Sequence, residues 1–99
     1  MSIVRGRERV APSPFPLRGE LDMERAPECR VQLWAYAMTS EGDVVCDCTE
    51  LEFLDSSGVA MFVEVNKELA ERGRALHLTH VTGGPRRVLE VTGLLHQLT

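Results

Sequence analysis

Ninety-nine residues suffice for one small domain with a modest core and leave little room for a second. Eleven Lys and Arg against fifteen Asp and Glu give a net charge of −4, which disfavours nucleic acid as a direct partner. No apolar run approaches the roughly 20 residues that cross a bilayer, and the charged N-terminus has no hydrophobic segment behind it, so neither a membrane span nor a signal peptide is expected. Three cysteines (Cys29, Cys46, Cys48) fit a reducing, cytoplasmic location better than a disulfide scaffold.

Residues 1–16 are the hardest to assign. Ile3-Val4 and Val10-Ala11 have strand character, but Pro12, Pro14 and Pro16 follow at every second position. Alternate residues of a strand present their N–H groups to the same edge, so the prolines blank one edge. The other edge, through Ser13, Phe15 and Leu17, is free to pair. An edge-like or irregular strand paired on one side is expected, with Gly19-Glu20-Leu21-Asp22 ending it.

From about Ala26 to Thr39 the pattern is helical, with Val31, Trp34, Ala35 and Met38 at i, i+3, i+4 and i+7. Pro27 suits the first turn and Gly42 lies just past the end. Trp34 reads as core. Val44 to Cys48 reads as a short strand, and Leu51, Phe53 and Leu54 carry an apolar chain to Asp55. A long helix is expected over about 57–72, with Val59, Phe62, Val63 and Leu69 buried and Gly73 closing it. A strand over 75–81 follows, then a Gly83-Gly84-Pro85 loop, a short helix from Arg86 to Thr92, and an apolar tail that packs back. Strands alternating with helices imply a mainly parallel sheet with right-handed crossovers.

The Asp55-Ser56-Ser57-Gly58 turn is the most informative local feature. A serine between a strand and a helix is by itself most simply an N-cap. Only one hydroxyl is needed for that, which leaves the other free. A phosphoryl group there would sit at the positive end of a helix and place about −1.5 to −2 charges beside Asp55 and Asp22. A hydrolase serine is disfavoured: the G-x-S-x-G elbow is absent, and His77, His80 and His96 fall on or after a later strand. No enzymatic activity is expected, and no catalytic residue is assigned.

Cys46 and Cys48 lie two apart on a strand, too far for an undistorted disulfide, and no second ligand pair follows for zinc. They read as small core hydrophobes, and no metal or cofactor is expected. The Gly83-Gly84 turn lacks both the P-loop lysine and the G-x-G-x-x-G spacing.

From Leu17 to Leu98 the chain resembles the STAS domains, in particular bacterial anti-sigma factor antagonists. The resemblance rests on ordered motifs. Leu17-Arg18-Gly19-Glu20-Leu21-Asp22 is similar to the family's L-x-G-E-L-D, and Val44 to Thr49 to its V-V-L-D-L-S strand. Leu51-Glu52-Phe53-Leu54-Asp55-Ser56-Ser57-Gly58-Val59 resembles L-x-F-L-D-S-S-G-L. Arg72-Gly73, Leu76-His77-Leu78 and Val88 to Leu94 match the remainder. The resemblance implies an α/β fold with a mixed, mainly parallel sheet of about four strands and helices chiefly on one face, forming a single domain over 1–99. It implies phosphorylation at Ser56 by an anti-sigma factor with serine kinase activity, and resetting by a PP2C-type phosphatase. Asp22, Asp55, Ser57, Gly58 and Val59 would form the partner surface of a monomer or weak dimer. A STAS scaffold subunit in a transporter-associated or stressosome-like assembly, without phospho-switching, is the competing reading. Departures from the family pattern are the three prolines, the chain end soon after Gly93-Leu94, and cysteines in place of two strand leucines.

Overall fold

The computed structural model describes residues 13–99; Ile3-Val4, Val10-Ala11 and Pro12 lie outside the described residues. The elements are β1 (Phe15–Leu21), α1 (Ala26–Ala37), β2 (Val44–Leu54), α2 (Ser56–Ala70), β3 (Leu76–Thr79), α3 (Gly83–Val91) and α4 (Leu95–Leu98). The described strands lie in the order β1-β2-β3, and both pairs are parallel. A helix joins each pair, as parallel neighbours require. The expected α/β architecture is therefore present, with three described strands against the four or so expected.

Among the described residues β1 pairs only with β2, the one-sided pairing expected from the prolines. Gly19 does not end the strand. It lies inside β1 at φ +69°, a conformation open to glycine, and the strand continues to Leu21. Nor is β2 short: it runs through eleven residues to Leu54.

The two long strands do not run in simple register. Pro16 faces Asp47 and Arg18 faces Glu50; Gly19 faces Leu51 and Glu20 faces Phe53. At both steps β2 carries one residue more than β1. Each extra residue moves the alternation of side chains by one position. Val44, Cys46 and Cys48 are accordingly followed into the core by Leu51 and Leu54, at steps of three. Without the first shift Leu51 would point away from the core.

The buried strand residues, together with Leu17, Leu21, Leu76 and Leu78, lie on one face and merge into one cluster with Leu33, Phe62, Val65, Leu69 and Leu89. The other face carries polar groups, including Arg18 paired with Glu50 at 3.1 Å. Arg30 ties α1 to α2 through ion pairs with Glu68 and, at 3.7 Å, Glu64. Asn66 Oδ1 on α2 accepts the Leu76 N–H at 3.0 Å, fixing that helix against β3.

Several expected details change. On α1 the buried residues are Ala26, Leu33 and Ala37; Val31 is 69% exposed and Met38 46%. The helix carries two apolar stripes, and the one bearing small alanines faces the core, where it can approach closely. Trp34 is half-buried at the edge of the core with the Arg72 guanidinium over its ring, 5.4 Å from the centroid. On α2, Met61 and Val65 are buried while Val63 faces out. The strand β3 is shorter than 75–81 and gives way at His80, which adopts a left-handed φ of 59°. Gly83-Gly84-Pro85 is not a loop but the first turn of α3, where the missing proline N–H has no intrahelical partner to lose. The apolar tail packs back as expected, through Leu95 and Leu98 on α4.

Candidate functional site

The site forms where β1 and β2 end side by side. In open parallel sheets the carboxyl ends of the strands are where the following turns gather groups for binding. After β2 a single residue, Asp55, separates strand from helix, with extended backbone (φ −117°, ψ −171°). Its Oδ1 accepts the Ser57 N–H at 2.9 Å and the Gly58 N–H at 3.3 Å. The cap of α2 is thus the aspartate carboxylate, which corrects the expectation that a serine hydroxyl caps the helix. Among the described residues, neither the Ser56 nor the Ser57 hydroxyl makes a hydrogen bond. Ser56 is exposed and Ser57 half-buried, while Gly58 and Val59 are buried beneath them.

Asp22 repeats the device at the end of β1. Its Oδ1 accepts the N–H groups of Glu24 at 3.1 Å and Arg25 at 3.0 Å, and its carbonyl accepts from Ala26 at 2.8 Å. The turns are joined directly: the Asp55 N–H donates to the Leu21 carbonyl at 3.3 Å. Gly58 packs on the same carbonyl. A Cβ at position 58 would fall 2.8 Å from Leu21 O and 2.5 Å from Leu54 Cδ1, so the glycine is there for close approach. The structure therefore brings Asp22, Asp55, Ser56 and Ser57 into one double turn, with Gly58 and Val59 supporting it from below.

Sequence reading missed a groove beside this turn. Met23, Ala26 and Pro27 on the α1 side face Ser57, Ala60 and Met61 on α2 across a mainly apolar volume of about 400 Å³, with Arg30 and Glu64 also lining it. Met23 is 75% exposed. Its place between Asp22 and Glu24, an apolar residue among carboxylates in a turn, was the available signal.

The remaining candidates lie elsewhere. Cys46 and Cys48 are buried in β2, and burial raises both thiols, Cys48 to about 12, so they stay neutral. Half-buried Cys29 is raised for the same reason. His77 contacts Asp43 at 3.1 Å and His80 contacts Asp47 at 3.2 Å. Asp47 precedes Asp55 by eight strand residues, roughly 20 Å or more, so neither imidazole serves as a base for the serines. Among the described residues no group of three or more His, Cys, Asp or Glu could hold a metal ion, and no helix is long and apolar enough to cross a membrane.

Comparison with known proteins agrees with this geometry. The family model described as "Mlab, STAS domain" matches residues 7–99. The anti-sigma-B factor antagonist of Listeria monocytogenes is 36% identical over 77 residues, covering 77% of this chain and 67% of the relative, and that of Listeria innocua aligns equally well. The anti-sigma-B factor antagonist of Staphylococcus aureus is 29% identical over 76 residues, covering 77% of this chain and 70% of the relative. The chain belongs to the STAS domain family.

Proposed function

We propose that the chain is an anti-sigma factor antagonist that binds its anti-sigma factor when unmodified and is released when Ser56 is phosphorylated. The observation that carries this reading is the exposed Ser56 hydroxyl, which makes no hydrogen bond among the described residues and stands beside a carboxylate that already caps the helix. Transfer of the γ-phosphoryl group of ATP to Ser56 Oγ, with release of ADP and a proton, would leave both Asp55 hydrogen bonds intact. The new charge would stand beside Asp55 and the Asp22 turn, where repulsion and desolvation oppose docking while the fold survives. The names of the relatives support the role.

The partner in this reading is an anti-sigma factor with serine kinase activity, and a PP2C-type phosphatase removes the phosphoryl group. Asp22, Asp55 and Ser57 contact the partner, with Gly58 and Val59 shaping the surface from beneath. The role is regulatory rather than enzymatic, and it is exercised in the cytoplasm by a monomer or weak dimer. Incubation with ATP and the anti-sigma kinase of the same organism tests it. Intact mass should rise by one phosphoryl group, mapped to Ser56 and absent in Ser56→Ala. Tight binding without any transfer would favour the scaffold reading instead, in which the same surface docks unmodified.

A further inference from the structure

We propose that the groove between α1 and α2 makes the two adjacent serines unequal, so that the fold accepts a phosphoryl group on Ser56 and penalises one on Ser57. This rests on the reading of the turn as a phosphorylation site and adds how one of two chemically identical neighbours is selected. Ser56 is exposed and takes no part in the groove; Ser57 is half-buried and lines it.

Two properties of the groove penalise a dianion on Ser57. Its walls near that residue are apolar, formed by Met23, Ala26, Pro27 and Met61. A phosphoryl group pressed against them loses hydration without gaining donors. The charged groups facing the groove do not compensate. Arg30 is the cation among its lining residues, and it is already engaged by Glu64, which also lines the groove, and by Glu68 outside it, so its charge is matched before any phosphoryl group arrives. The nearby amides offer no refuge either, since the Asp55 carboxylate occupies the N–H groups of Ser57 and Gly58. On Ser56 the same dianion projects into solvent and displaces nothing. A phosphoryl group is thereby tolerated on the first serine and costs stability on the second, so a switch at Ser56 leaves the fold in place.

Phosphoserine placed at either position by genetic-code expansion tests this without any kinase. The chain with phosphoserine at 56 should melt within about 2 °C of the unmodified protein, and the chain with phosphoserine at 57 at least about 5 °C lower, the scale of a 1 kcal/mol effect in a domain this size. Glu64→Gln should restore part of the loss at 57 while changing the unmodified protein little, an electrostatic signature that simple crowding would not give. If the 57-modified chain does not fold, Ser57→Glu must still melt below Ser56→Glu. Equal melting temperatures, or a 57-modified chain more stable because Arg30 captures the phosphoryl group, would overturn the proposal. Failure of a kinase to modify Ser56 would instead count against the proposed function and leave these melting temperatures as they are.

Discussion

Gly58 on α2 lies so close to the carbonyl of Leu21 at the end of β1 that a Cβ there would stand 2.8 Å from the oxygen. Through this contact, and the Asp55 N–H bonded to the same carbonyl, the Asp22 and Asp55 turns form one surface. Alanine in a helix is ordinarily better than glycine by up to about 1 kcal/mol. Here steric conflict with a backbone atom and with Leu54 Cδ1 wins. Gly58→Ala should destabilise the fold by about 1–3 kcal/mol in urea unfolding. A neutral or stabilising result would show that the turns can separate cheaply.

The aspartate cap gives a second expectation. Asp55→Ala removes the acceptor for two N–H groups and should cost about 1 kcal/mol, with Asp55→Asn costing less because its carbonyl still accepts. Ser57→Ala, by contrast, removes no hydrogen bond made among the described residues and should leave stability within about 0.5 kcal/mol. Equilibrium unfolding of the three variants separates the aspartate cap from a serine cap.

The two stripes of α1 are distinguished in the same way. Leu33→Ala should cost about 2–5 kcal/mol, because Leu33 is fully buried. Val31→Ser should change stability by less than about 0.5 kcal/mol. The reverse order would place the other face of the helix against the core.

Element types were legible along most of the chain because glycines, prolines and apolar runs mark them locally. Phase was not. On α1 the stripe of Val31, Trp34, Ala35 and Met38 is as regular as the one that packs, and the choice is made by what β1 and α2 present to it. On β2 the burial of Leu51 depends on a register shift against β1, information that no window of β2 contains. The turn shows the same limit. Asp55, Ser56 and Ser57 are all good capping residues, and which one caps is decided by where β2 ends. That one of the two serines is exposed was readable, but not which one, and the groove needs two helices and left only Met23 as a trace.

The buried thiols set an alkaline limit. With the pKa of Cys46 and Cys48 raised by burial, the folded state holds protons that the unfolded chain gives up above about pH 9. The unfolded state then binds fewer protons, so stability is full below that pH and falls as pH rises towards about 12, by up to about 1.4 kcal/mol per pH unit for each thiol. Cys46→Val with Cys48→Val should flatten that decline. In the native protein at neutral pH, Cys29 should react with a thiol reagent before either strand cysteine; simultaneous reaction of all three would contradict their burial.

The phospho-switch is tested most directly by calorimetric titration of the anti-sigma factor from the same organism with this chain, unmodified and then phosphorylated at Ser56. The unmodified chain should bind, and the phosphorylated chain should bind at least about 100-fold more weakly, a difference of about 2.7 kcal/mol, with an unchanged melting temperature. Equal affinities in the two states, or no binding in either, would contradict the switch.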